Sequence, residues 1–129
     1  MSDRILIVDD EQNVLNSLRR QLEKKYNIQT ALGAVEALKL FREDQGFAVV
    51  LSDLRMPEMD GLQFLSKVKE ISPYTIGIIL TGNADLNNAI KAVNDGHIFR
   101  FLTKPCPMVI IENVLKQAIE QYRLVTSEK

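Results

Sequence analysis

The chain reads as an α/β domain with a parallel sheet covered by helices on both faces, and three observations predict this. Along its 129 residues, short apolar runs rich in Ile, Val, Leu and Phe alternate five times with longer stretches of helical spacing. Most of the runs lack the in–out alternation of a half-exposed strand, as strands buried on both faces do. Asp9, Asp53, Thr81 and Lys104 each stand at or just beyond the end of such a run. Five β-α units joined by right-handed crossovers build a parallel sheet of this kind, and its carboxyl edge is where open α/β folds place their sites.

Taken in order, Arg4–Val8 is the first strand. Glu11–Lys25 follows as a helix, with Val14, Leu15, Leu18 and Leu22 on one face and Arg19, Arg20, Glu23, Lys24 and Lys25 largely on the other. Ile28–Leu32 is the second strand, broken by Gly33, and Val35–Arg42 is a helix through Val35, Leu38 and Phe41. Phe47–Leu51 is the third strand. A loop from Asp53 to Asp60 leads into the helix Gly61–Ile71, which carries Leu62, Leu65 and Val68 and is stopped by Ser72-Pro73. Thr75–Leu80 is the fourth strand, and Ala84–Asn94 is a helix with Leu86, Ala89, Ile90 and Val93 expected inward. Ile98–Leu102 is the fifth strand. Val109–Arg123 is the last helix, with Ile110, Val114, Leu115, Ala118 and Ile119 on its apolar face. The expected layout is one domain over residues 1–124, followed by a frayed polar tail or the start of a linker at 125–129.

Composition narrows the function. Sixteen Lys and Arg stand against seventeen Asp and Glu, a formal net charge of −1, with no basic stripe to suggest nucleic-acid binding. The single cysteine, Cys106, excludes an internal disulfide and fits a reducing compartment. No apolar stretch approaches the roughly 20 residues that cross a bilayer. The expected setting is therefore cytoplasmic, with no membrane contact.

The acids carry the chemistry. Asp9, Asp10 and Asp53 at one sheet edge repel one another unless a cation compensates. Three hard oxygen donors with no histidine or thiolate beside them suit Mg²⁺ or Mn²⁺ rather than zinc. A simpler role for one of the pair, capping the helix at Glu11, is also open. A carboxylate beside such a metal can attack phosphorus to give an acyl phosphate. Lys104 supplies a point charge and Thr81 a hydroxyl donor, while Gly82 leaves room for a backbone N–H to approach. Taken singly, Lys104 is a solvated lysine and Thr81 a β-branched strand residue; taken with the acids, they form a site.

Asp9-Asp10, Asp53 within LSDLRMPEMDG, Thr81-Gly82 and Lys104-Pro105 together resemble the receiver domain of two-component response regulators, in family order from Arg4 to about Tyr122. The resemblance implies a flavodoxin-like sheet in the order 2-1-3-4-5. It implies Asp53 as phosphoacceptor, served by a sensor histidine kinase or a small donor such as acetyl phosphate. Asp10, Asp53 and the backbone carbonyl of Arg55 would hold Mg²⁺, with Asp9 acting directly or through water. Thr81 and Lys104 would turn to the phosphoryl group, Lys104-Pro105 would be a cis peptide, and Phe101 would be the switch aromatic. Arg55 and Asn83 occupy positions that tune the lifetime of the phosphoryl group. Output would pass through the fourth helix, fifth strand and fifth helix, to an attached output domain, a partner protein or a second copy.

Two departures from the family pattern stand out. The segment Gly96–Lys104 is one residue longer than the common spacing, and Cys106 replaces the bulky aromatic that often follows Lys-Pro. Two rivals are weighed against the switch. An aspartyl-nucleophile phosphohydrolase needs a second acid two residues after the nucleophile, where Arg55 stands. A phosphorylation-independent interaction module does not need the intact set of Asp9, Asp10, Asp53, Thr81 and Lys104. His97, the sole histidine, has no second ligand in sequence and reads as a surface residue. Cys106 reads as a packed thiol.

Overall fold

A computed structural model describes residues 3–44, 46–82, 86–95 and 98–127. Its elements are β1 (Arg4–Asp9), α1 (Gln12–Leu22), β2 (Asn27–Leu32), α2 (Ala34–Glu43), β3 (Phe47–Ser52), α3 (Gly61–Ile71), β4 (Ile76–Thr81), α4 (Leu86–Asn94), β5 (Arg100–Thr103) and α5 (Met108–Thr126). The five strands are parallel in the order β2-β1-β3-β4-β5, the flavodoxin-like arrangement.

The continuous apolar runs are explained by two cores. Ile5 and Ile7 of β1, Val49 and Leu51 of β3, and Ile78 and Leu80 of β4 pack against α1 and α5. Their alternating neighbours Leu6, Val8, Val50 and Ile79 pack on the other face against α2 and α3. Side chains in a strand point to opposite faces in turn, so a strand covered on both sides must be apolar throughout. The second core is built around Phe41, whose ring lies 5.2 Å from that of Phe47 and 6.5 Å from that of Phe64. The strands β2 and β5 lie at the sheet edges and are correspondingly less buried.

Several boundaries differ from the sequence expectation. The first helix ends at Leu22, with Lys25 and Tyr26 closing turns back onto the Leu22 carbonyl. Thr75 precedes β4: its hydroxyl donates to the Phe47 carbonyl at 2.8 Å and pairs with Ser72, which ties the start of the strand. Ile98 is buried but precedes β5, because the Phe99 N–H is drawn to Gly77 O at 2.7 Å and the ladder begins at Arg100. The last helix runs on to Thr126, whose hydroxyl donates to the Tyr122 carbonyl.

The apolar stripes need correction too. Ile90 is 58% and Val93 40% exposed rather than inward, because α4 flanks the edge strand β5 and that part of its stripe is left uncovered. Val35 is exposed, and α2 buries Ala34 and Ala37 beside the expected Leu38 and Phe41. On α5, Val114, Leu115, Ala118 and Ile119 are buried as expected, but at the start of the face Ile111 is buried and Ile110 exposed. Ala84, Gly96, His97 and the side chains of Leu86 and Ala89 lie outside the described residues, as does the end of the tail. Helices α1 and α5 are tied beyond their shared core: Lys25 Nζ meets Glu112 at 2.8 Å, and the Tyr26 hydroxyl donates to the Glu112 carbonyl.

An acidic cluster at the carboxyl edge of the sheet

The central strands β1 and β3 lie side by side, so their carboxyl ends bring Asp9, Asp10 and Asp53 together. A carboxylate oxygen from each lies within 4.8 Å of the others. Asp9 ends β1 and is buried, Asp10 is exposed, and Asp53 is half-buried. On the next strand, Thr81 ends β4 and is almost wholly buried. It pairs in register with Thr103 of β5, and the Lys104 N–H donates to the Thr81 carbonyl at 2.9 Å. The sheet therefore delivers all five side chains to one edge.

Asp9 is the best-held acid. One oxygen accepts the Glu11 N–H at 2.9 Å and the other meets Lys104 Nζ at 3.3 Å. Burial pushes its pKa up; the Glu11 N–H and the Lys104 ammonium pull the other way, and the charge of Asp53 adds to the rise. Asp9 does not take the helix-capping role considered from sequence: Glu11 is the N-cap of α1, and Asp9 holds the N–H of that residue just ahead of the helix. Asp10 has no such role among the described residues and faces solvent beside the other two acids. Three oxygen-donor groups this close, without nitrogen or sulfur donors among them, fit a hard divalent cation.

The remaining residues fall around this cluster. The Lys104–Pro105 peptide is cis. Phe101 is half-buried against the α2/α3 core. The side chain of Arg55 is exposed, just past Asp53, while Asn83 lies outside the described residues. A Cβ at Gly82 would meet only Lys104 Cβ, at an ordinary 3.7 Å, so crowding does not demand glycine there. Cys106 lines an apolar cavity of about 300 Å³ with Val14, Leu18, Leu80 and Ile111, and burial raises its thiol pKa.

Two residues to which the sequence analysis gave no role stand behind Asp53. The Ser52 hydroxyl donates to the Asp53 carbonyl at 2.8 Å, and Gly61 packs directly against that same carbonyl. The signal for Gly61 was its place immediately after a helix-capping Asp60. Ser52 stood between the third strand and Asp53 and drew no role of its own.

Residues 5–120 match the family model described as the response regulator receiver domain. The chain is 34% identical over 123 residues to the hydrogenase transcriptional regulatory protein HoxA of Cupriavidus necator, covering 93% of this chain and 25% of that protein. A solved structure described as adenylate cyclase from Rhodopirellula baltica superposes with a TM-score of 0.95 at 42% identity, covering 99% of this chain and 95% of that one. A response regulator receiver domain protein from Clostridium thermocellum gives 0.89 at 35% identity, covering 95% and 98%. The chain spans about a quarter of the length of the curated relatives it matches. No helix among the described residues is long and apolar enough to cross a membrane. Family model, relatives and fold coincide over nearly the whole length, and the chain belongs to the response regulator receiver domain family.

Proposed function

We propose that Asp53 accepts a phosphoryl group and that its arrival switches the surface formed by α4, β5 and α5. The observation that carries this reading is the meeting of three carboxylates within 4.8 Å, with Lys104 against one of them, in a chain of this family. Asp9, Asp10, Asp53 and the Arg55 carbonyl would hold Mg²⁺. When bound, that ion offsets the charge of the acids and of the phosphoryl oxygens and orients the donor.

The protein's own part is positional. An Asp53 carboxylate oxygen attacks phosphorus, the bond to the donor's imidazole nitrogen or acetyl oxygen breaks, and the donor leaves with that electron pair. Lys104 leaves Asp9 for the new dianionic group, and the Thr81 hydroxyl donates to one of its oxygens. Phe101, half-buried on β5 opposite Ile79, turns further inward as Thr81 moves and alters the outer surface. Arg55, exposed next to the acceptor, and Asn83 then set how readily water reaches the acyl phosphate.

The phosphoryl source is a sensor histidine kinase or a small donor such as acetyl phosphate. The output passes to an attached domain, a partner or a second copy through a surface on which Ile90, Val93, Val109 and Ile110 are exposed. The relatives' fourfold greater length supports an attached output domain. We place the reaction in the cytoplasm, where a lone thiol such as Cys106 stays reduced.

The test is intact-protein mass after incubation with acetyl phosphate, with and without Mg²⁺, for wild type and Asp53→Ala. A metal-dependent gain of about 80 Da, one phosphoryl group, that vanishes in the variant is the expected result. No gain, together with no binding of beryllofluoride, would leave a docking module of receiver fold.

A further inference from the structure

The backbone of the acceptor segment is held from beneath as well as along the chain. The Asp53 N–H donates to Val8 O at 2.9 Å, which anchors the exit from β3 to β1. One residue on, the Leu54 carbonyl accepts the Gly61 N–H at 2.7 Å, which closes the β3–α3 loop back on its own beginning. Asp60 fixes the start of α3 through a reciprocal capping box: its side chain accepts the Gln63 N–H at 2.8 Å, and its own N–H donates to the Gln63 side chain at 3.0 Å. Gly61 is therefore placed by a rigid helix end, and that end presses on Asp53.

The pressing is close. A Cβ at Gly61 would overlap the Asp53 carbonyl oxygen and would lie 2.9 Å from Ile79 Cδ1 and 3.1 Å from Leu54 Cα. Two of these three neighbours are backbone atoms of the acceptor segment, which cannot rotate away as a side-chain tip can. On its other side the same carbonyl accepts the Ser52 hydroxyl at 2.8 Å, and Ser52 is buried. The peptide joining Asp53 to Leu54 thus lies between a hydroxyl and the bare α-carbon of a capped helix. The next carbonyl, that of Leu54, holds the Gly61 N–H, and the one after it is that of Arg55.

We infer that Gly61 and Ser52 are positioning residues for the phosphoacceptor: they fix the Asp53–Leu54 peptide, and through it the Asp53 carboxylate and the Arg55 carbonyl. The inference rests on the acceptor reading given above. A side chain at position 61 must push this peptide away and spread the oxygen donors, even where the fold survives. Outer contacts that orient metal ligands change affinity by about 10–100-fold when lost, and small misplacements of reacting groups are costly in the same way.

The experiment compares the full chain with Gly61→Ala, Ser52→Ala and Gly77→Ala. Gly77 is the control: the three atoms nearest to a Cβ there all belong to the Leu65 side chain, at 3.0–3.5 Å, and none to the acceptor segment. Each protein is titrated with MgCl₂ by calorimetry without phosphodonor, then assayed for phosphoryl gain by mass across the same Mg²⁺ range. Gly61→Ala should weaken Mg²⁺ binding about tenfold or more, and Ser52→Ala, which removes one hydrogen bond, about threefold. Gly77→Ala should melt earlier but bind Mg²⁺ as wild type does.

Unchanged Mg²⁺ affinity in a folded Gly61→Ala protein overturns the inference, and so does an equal loss in Gly77→Ala. If Gly61→Ala does not fold, Ser52→Ala decides: wild-type affinity there overturns it. Wild type that neither binds Mg²⁺ nor gains phosphoryl is a different failure. It removes the acceptor reading itself, and this inference with it.

Discussion

Neutralising Asp9 sets opposing forces against one another whose sizes follow from the geometry. Asp9→Asn removes an attraction to Lys104 at 3.3 Å, about 5 kcal/mol at an effective dielectric constant of about 20. It also removes a repulsion from Asp53, within 4.8 Å, of about 3.5 kcal/mol on the same scale. Exposed Asp10 adds about 1 kcal/mol of repulsion once water screens it. These pairwise terms cancel to within about 1 kcal/mol, so burial decides the sign. Burial is the largest influence on the Asp9 carboxylate and opposes its charge, while Asn keeps an oxygen for the Glu11 N–H. The metal-free variant should therefore be more stable by about 1–2 kcal/mol, a rise in Tm of about 5 °C for a domain of this size.

Mg²⁺ should act in the reverse sense. At a hundredfold excess over Kd it adds about 2.7 kcal/mol to wild type, and the variant, short of one acid, should gain much less. The pH dependence follows from the same cause. Because the folded pKa of Asp9 is raised, metal-free wild type gains stability as pH falls through that raised value and stops gaining below the unfolded one. The variant lacks this gain, so the two melting temperatures converge in acid. Thermal melts with EDTA and with MgCl₂, at several pH values, read all three effects. A metal-free Asp9→Asn protein that melts at or below wild type refutes the reasoning, as does one that Mg²⁺ stabilises equally.

Thr81→Ala should still gain a phosphoryl group by mass while the amide NMR shifts of α4 and β5 change far less than in wild type; a full response would remove the hydroxyl from the switch. Phe64→Ala removes one fully buried ring from the aromatic group on the α2/α3 side. It should cost about 3–5 kcal/mol in denaturant unfolding, and a loss below about 1 kcal/mol would mean that this core collapses around the gap.

Most of the architecture was legible because burial on both faces forces strand composition. Ile5–Val8, Phe47–Leu51 and Ile76–Leu80 have no polar interruption, and all lie in the sheet between two layers of helices. The acidic cluster was legible for a related reason. Parallel strands align their carboxyl ends, so acids at the ends of neighbouring strands must meet. The errors came where neighbours, rather than the chain itself, set the outcome. The stripe of α4 has the right period, but periodicity does not say whether anything covers it, and Ile90 and Val93 lie at an open edge. On α5, Ile110 and Ile111 are adjacent and equally apolar, and only the docking angle chooses between them. Ser52 and Gly61 act through a backbone carbonyl, a contact that leaves no mark on side-chain pattern.

The ties between α1 and α5 bear on how motion is shared out. Both helices root in one apolar cluster, and Lys25, Tyr26 and Glu112 fasten them at the surface. One follows the acids of β1 and the other follows Lys104, so the two sides of the pocket descend from a single cooperative unit. Phe101 belongs to the opposite core. The ring and the ties that align Asp9 with Lys104 therefore rest on different faces of the sheet, so that a turn of Phe101 need not loosen that alignment.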